Sequence, residues 1–292
     1  MSGNVVVAGP LIVDEVLDDR GETRVALGGV AYALAGALTW APECRLVANA
    51  GQDLERWHGP WLEANGVEMS GVRRCLPATK RSRLRYVESG LFVEESVHDA
   101  AVRTRLRELD RRTAEHIRSR VDERTLGVYL EASVADPIWE SPAIYDLADR
   151  VPVMWEVETG SAITQAWRTR TLEVSRRLGL FSVNLPEALA LFDVRSRAEA
   201  EAAIVAHGAD CYLRLGAAGS AFISDGEVRF APSVEVAEVV DATGCGNAST
   251  AGALAAIGLG VAPGAVAEMG NRAAAAVLGS YGPPKLVERL GS

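Results

Sequence analysis

Hydrophobic positions follow two rhythms along these 292 residues: short continuous apolar runs, and longer stretches in which apolar residues return every three or four positions. Residues 5–9 open as a continuous apolar run, Val-Val-Val-Ala-Gly, the pattern of a strand in a parallel sheet covered on both faces. Similar runs at 45–50, 126–130, 151–156 and 180–183 alternate with helical patterns at 28–38, 54–65, within 139–149 and at 161–178. Gly66 stands where a helix C-cap is expected. Such alternation predicts an α/β fold, a central and mostly parallel sheet with helices on both faces.

Two excursions interrupt this rhythm. Residues 13–26 turn polar, with 18–21 as a hairpin tip, and in residues 79–97 Ser82, Leu84, Tyr86 and Glu88, then Leu91, Val93 and Glu95, alternate around Ser89-Gly90. Together they predict a small separate sheet, a β lid, whose edges would pair across a homodimer or be covered or charged. Residues 99–124 place Val102, Leu106, Leu109, Ile117 and Val121 on one helical face, and their many arginines are interleaved with acids, which favours a solvated face with internal ion pairs. Without a repeat, low-complexity tract or linker, residues 1–292 read as a single domain with lid segments at about 13–26 and 79–97.

Composition narrows the function classes. Hydrophobic residues are 48% and charged ones 24%, which argues for a globular chain, and 30 basic against 39 acidic residues give a net charge of −9, unfavourable for a nucleic-acid binder. The four cysteines and four histidines are scattered, so neither a disulfide framework nor a zinc site is indicated. Met1 is followed by a strand pattern and Asp14 instead of a signal peptide. The uncharged stretch after Asp241 is broken by Gly258, Gly260 and Pro263, so two buried helices explain it better than a membrane span. A cytoplasmic protein is expected.

The densest chemistry lies at 241–250, Asp-Ala-Thr-Gly-Cys-Gly-Asn-Ala-Ser-Thr. Two short strands, 222–230 and 234–240, are expected before it and a long Ala-rich helix after it. Gly244 and Gly246 would let the backbone approach a ligand closely, and the first amides of the helix would point outward beside the positive end of its dipole. That is an anion cradle, although a glycine-rich cap without a ligand is an equal reading of the stretch alone. Upstream, Asn184-Leu-Pro-Glu187 follows a strand: Glu187 could hold Mg²⁺ through water, or the four residues are an ordinary capping box. Asp14, with the amides of Gly28 and Gly29, could grip hydroxyls, or serve as a turn residue and a helix cap. Tyr32 could stack on a ring, or be core.

These stretches together resemble the ribokinase-like, or PfkB, carbohydrate kinases, whose signature normally reads Asp-Thr-Thr-Gly-Ala-Gly-Asp. The resemblance spans the chain from Val5 to its last helices. It implies a ribokinase-like fold and an ATP-dependent phosphotransferase acting on a hydroxyl of a sugar or nucleoside-like substrate. Gly244, Cys245 and Gly246 would form the anion hole, and Thr243, Asn184 and Glu187 would serve the phosphates and Mg²⁺. Gly216 and Gly219 would flank the nucleotide, and Asn271 would lie on the helix lining the adenine pocket. Asp14, Gly28 and Gly29 would take the substrate; whether a monovalent cation is needed stays open.

Three departures stand out. The catalytic Asp that ends the signature is Asn247, an amide that cannot accept a proton at neutral pH. Arg214 stands where the family usually has Thr; it could reach a phosphate, but a surface-facing side chain is expected. The run after the two glycines, Val30-Ala31-Tyr32-Ala33, lacks the usual Asn. Two functions follow: a carbohydrate or nucleoside kinase with a slowed or relocated base, or a sugar- or nucleotide-binding sensor that keeps the fold.

Overall fold

The computed structural model describes residues 3–17, 22–86, 92–157 and 164–291. Among these, the strands of the first hundred residues are β1 (Asn4–Ala8), β2 (Leu11–Leu17), β3 (Thr23–Gly29), β4 (Glu43–Gly51), β5 (Glu68–Leu76), β6 (Lys80–Tyr86) and β7 (Phe92–Ser96). Then follow β8 (Thr125–Glu131), β9 (Val153–Glu156), β10 (Leu180–Asn184), β11 (Asp210–Arg214), β12 (Gly219–Ser224) and β13 (Glu227–Pro232). Nine of them form one sheet in the order β13-β12-β11-β10-β9-β8-β1-β4-β5, parallel from β5 through β11 and antiparallel at β12 and β13.

The period of two in β1 explains how this sheet is covered. Val5 and Val7 join a core formed with the helices Val30–Leu38, Cys245–Gly258 and Pro263–Ala275, while Val6 and Ala8 join the core of the opposite face. The first layer is tight because small residues meet across it. A Cβ on Gly36 would run into the backbone of Ala248, and one on Gly252 into Ala273. The α/β architecture expected from the sequence is therefore present.

β2, β3, β6 and β7 make a second sheet, ordered β3-β2-β6-β7, in which the parallel β2–β6 pair joins two antiparallel hairpin arms. The expected tips at 18–21 and around Ser89-Gly90 lie outside the described residues, as does the expected helix start at 161–163.

Some local expectations change. No strand forms at 234–240; the hairpin before the glycine loop is β12–β13, and the following segment is irregular. Its backbone is satisfied elsewhere, with Val240 and Asp241 both donating to the Leu278 carbonyl at 2.9 and 3.3 Å, so it needs no sheet partner. The stretch 54–65 splits at His58 into Leu54–Trp57 and Gly59–Ala64, with Pro60 in the first turn of the second helix, and 99–124 into Ala100–Leu109 and Ala114–Arg118. β5 is an edge strand with mostly exposed or half-buried residues, so it lacks the apolar run that marks its neighbours.

Candidate functional site

In a parallel sheet every strand delivers its last residue to the same edge. Here β8, β9, β10 and β11 end in Glu131, Glu156, Asn184 and Arg214, with Glu131 paired to Glu156 and Asn184 to Arg214 in register. These four residues form one wall of a cavity of about 750 Å³. The glycine loop, through Thr243, Gly244, Gly246 and Asn247, forms its floor, and Asp14, Ser82 and Glu94 of the second sheet form part of the facing wall.

The loop enters the helix Cys245–Gly258 with Gly244 in the left-handed region at φ 74, a conformation that favours glycine. A side chain there would also overlap the ring of Tyr32, so Tyr32 buttresses the loop as a buried core residue. Asp241 ties the loop from below, its Oδ1 accepting from the Thr243 amide at 2.9 Å and hydroxyl at 2.7 Å. Cys245 faces away: its amide donates to the Ala242 carbonyl at 3.3 Å and its Sγ lies 3.9 Å from the Ala274 carbonyl. Burial, then Asp241, pushes its thiol up to about 12, so it is no nucleophile at neutral pH. The cradle that opens on the cavity is Gly244, Gly246 and Asn247.

Asn247 is the first link of a polar chain across the wall. Its Nδ2 donates to the Tyr129 hydroxyl at 2.9 Å and to Glu131 Oε2 at 3.2 Å. Tyr129 in turn donates to Glu156 Oε2 at 2.5 Å. Arg214 then joins Glu156 Oε1 through Nη1 at 2.8 Å and Glu187 Oε2 through Nη2 at 3.3 Å. Glu187 and Asn184 close a capping box on the helix Leu185–Phe192, with bonds of 2.7 and 2.8 Å. Burial lowers the Arg214 pKa, but Glu156 and Glu187 outweigh it and the net shift is upward. Tyr129 is held well above its usual value by burial, then by Glu156 and Glu131. Arg214 therefore points into the site and not to the surface.

Asp14 presents the opposite case. It is buried, its carboxylate packs against the Cα of Gly28, where a Cβ would overlap it, and Gly29 also lines the cavity. Burial first, then the charges of Glu94 and Asp241, raise its pKa from 3.8 to about 7.

The residues expected at the adenine end, Gly216, Gly219 and Asn271, do not line this cavity. Asn271 is buried and donates to the Ala231 and Pro232 carbonyls at 3.0 and 2.9 Å, while its Oδ1 accepts from Ser220 at 2.8 Å. Its amide pins the helix Pro263–Ala275 to β12 and β13. Sequence reasoning missed Tyr129, Glu131 and Glu156. The signal for the two acids was present, since each ends a strand that the apolar pattern delimits, the criterion that singled out Asn184.

Comparison with known proteins agrees with this architecture. Residues 161–288 match the model of the pfkB family carbohydrate kinases. No curated protein matches the chain by sequence search. Among solved structures, the fold is similar to adenosine kinase from Sinorhizobium meliloti, at 19% identity and TM-score 0.76, covering 97% of this chain and 96% of that one. It is similar to fructokinase from Vibrio cholerae O395 in a form with fructose, ADP and calcium ion bound, at 15% identity and TM-score 0.74, covering 96% and 94%. Ribokinase from Cryptococcus neoformans var. grubii serotype A in complex with ADP gives 18% identity and TM-score 0.72, covering 99% and 98%. The ribokinase-like fold and the PfkB resemblance of the sequence are thereby borne out.

Proposed function

We propose that this protein transfers the γ-phosphoryl group of ATP to a hydroxyl of a sugar or nucleoside-like molecule. The observation that carries the reading is the convergence, on one cavity, of the Gly244–Gly246 cradle at a helix N-terminus and of the buried carboxylate of Asp14. Helix-terminal amides suit a phosphate, and a buried carboxylate beside Glu94 and Asp241 suits a hydroxyl donor. The phosphates of ATP are assigned to residues 244–247 and its base to the side of the Gly216 turn, with Asn271 bracing that wall from behind. The second sheet is assigned the role of a lid that keeps water from competing with the substrate hydroxyl.

Position 247 supplies an amide, so the proton acceptor must be elsewhere. Glu131 is the carboxylate that Asn247 touches, and it lines the cavity. In the proposed reaction the substrate oxygen attacks the γ-phosphorus, its proton passes to Glu131, the bond to the β-phosphate oxygen breaks and ADP leaves. Asn247 keeps Glu131 in place. A positioned base contributes about 10²- to 10⁴-fold, and phosphoryl transfer otherwise relies on positioning and charge stabilisation.

Mg²⁺ at Glu187 fits poorly. Glu187 Oε2 already receives the Asn184 amide and the Arg214 guanidinium. No step is routed through a metal, and no monovalent cation is assigned. A cytoplasmic setting suits an ATP consumer; no helix of the described residues is long and apolar enough to cross a membrane. Homodimerisation would use the edge strands β3 and β7, which expose Val25 and Val93.

One observation favours the sensor reading: Asn247 and Arg214 both spend hydrogen bonds inside the site on other protein groups. The test is phosphotransfer from ATP to a panel of pentoses, hexoses, sugar phosphates and nucleosides, with calorimetric binding alongside. Turnover that falls about 10²- to 10⁴-fold in Glu131→Gln, with nucleotide affinity kept, supports the relocated base. Tight binding without turnover favours the sensor.

A further inference from the structure

The Arg214 guanidinium is the most constrained cation of the cavity. Its side chain is 14% exposed, and its two carboxylate partners, Glu156 and Glu187, are 9% and 5% exposed. Each partner is fixed from behind, Glu156 by Tyr129 and Glu187 by the Asn184 amide, so the guanidinium is clamped in one place. That place is directly over the first turn of the helix Cys245–Gly258, because a Cβ built on Gly246 would overlap Nη1. Of the five guanidinium N–H groups the two carboxylates take one from each Nη, which leaves the second N–H of each Nη as the unused donors, while Nε is itself buried. Positive charge and unused donors thus meet the positive end of a helix on the floor of a cavity.

The charges lining the cavity sharpen the point. Five carboxylates and five Lys or Arg side chains are among the described lining residues. Four of the cations, Lys80, Arg81, Arg103 and Arg107, come from β6 and the helix Ala100–Leu109, and Arg214 is the one carried by the nine-stranded sheet. A divalent ion beside Glu187 would have to share the carboxylate with a guanidinium that stays charged at any working pH.

We propose that Arg214 is the built-in counter-cation of this phosphate site, so that a nucleoside di- or triphosphate binds here without a divalent metal. The proposal rests on the nucleotide reading above and assigns the recognising charge. Arginine suits the role because its planar fork keeps two carboxylates and still presents donors to a phosphate oxygen.

Calorimetric titration of the wild-type chain with ATP and with ADP, once in EDTA and once in excess Mg²⁺, tests it. The expected affinities agree within about threefold between the two media. Arg214→Thr should weaken binding in EDTA by about 10- to 100-fold and make it respond to Mg²⁺, while Arg214→Lys, which keeps the charge but loses the fork, should fall between wild type and Arg214→Thr. Circular dichroism and thermal melts establish that each variant is folded; the wild-type comparison stands without them. Wild-type binding more than about tenfold weaker in EDTA overturns the proposal and leaves the nucleotide reading intact, as would Arg214→Lys behaving like Arg214→Thr. Absence of nucleotide binding in both media overturns the nucleotide reading and the proposal with it.

Discussion

The two walls of the cavity handle buried charge in opposite ways. On the nine-stranded sheet, each charged strand end finds a partner inside the site, and Asn247, Tyr129, Glu156, Arg214 and Glu187 form one connected chain. On the four-stranded sheet the charges form separate local pairs: Glu15 takes Arg81 and Arg83, Lys80 takes Asp110, and within the cavity Glu94 accepts from Ser82 at 2.6 Å. Asp14 is left facing acids, and its pKa climbs to about 7. The first wall holds a fixed charge pattern and the second an adjustable one. In the proposed reading the phosphate goes to the Gly244–Asn247 loop beside Arg214, and the substrate hydroxyl to Asp14, a carboxylate that can gain or lose its proton.

The contrast is broken most severely by Arg214→Leu. It strands Glu156 and Glu187 in a buried site, and a loss of about 3–5 kcal/mol is expected, read as a lower midpoint in urea unfolding. Arg83→Leu on the other wall, where the side chain is 51% exposed, serves as the control and should cost less than about 1 kcal/mol. Similar losses for both would mean that the two walls do not differ as described.

Next in size is the pH dependence set by Asp14. Its folded pKa lies above its unfolded value, so the folded chain holds the proton more tightly. The associated stability is fully present below about pH 4 and is lost as pH rises towards 7, by on the order of 4 kcal/mol at most. His58 and His207, both lowered to about 4 by burial, act the other way, losing stability as pH falls from 6.5. The Asp14 contribution is therefore read as the difference between wild type and Asp14→Asn across pH 4–8. Stability curves that run parallel would refute the assignment. If Asp14 accepts a substrate hydroxyl, substrate affinity should rise through about pH 7 in wild type and stay flat in the variant.

Asn247→Asp is the third test. A new carboxylate would replace a donor to Glu131 and Tyr129 and face Glu131 across the present 3.2 Å contact, so a loss of about 1–3 kcal/mol and no gain in turnover are expected. A variant about 10²-fold faster at saturating substrate would return the base to position 247. Gly246→Ala has the smallest expected effect on stability, about 1–2 kcal/mol, since its new Cβ must push Arg214 Nη1 aside. Its informative readout is nucleotide affinity, which should fall with the displaced guanidinium.

Much of this molecule was legible because short-range physics governs it. The unbroken apolar runs of β1, β8 and β10 require burial on both faces, and Gly244 is needed for a left-handed turn at a helix start. The run at 234–240 misled because alternating valines describe a strand only if a neighbouring strand accepts its backbone, and Leu278 took that backbone instead. β5 was missed for the converse reason: at a sheet edge its residues need little burial, so its pairing with β4 leaves a faint mark in the sequence.

By itself the sequence determined the α/β architecture, the glycine loop at a helix start and the order of the motifs, since periodicity, glycine placement and strand ends are local properties. Only the tertiary structure decided that Arg214 turns inward, that Asn247 leans on Glu131, and that Asp14 sits among acids. Arg214, Glu156 and Glu187 lie 27 to 58 residues apart, and Asn247 and Glu131 are separated by 116. Their meeting depends on the register of parallel strands, which no single segment encodes. A charge acquires its role from the charges that the fold sets beside it.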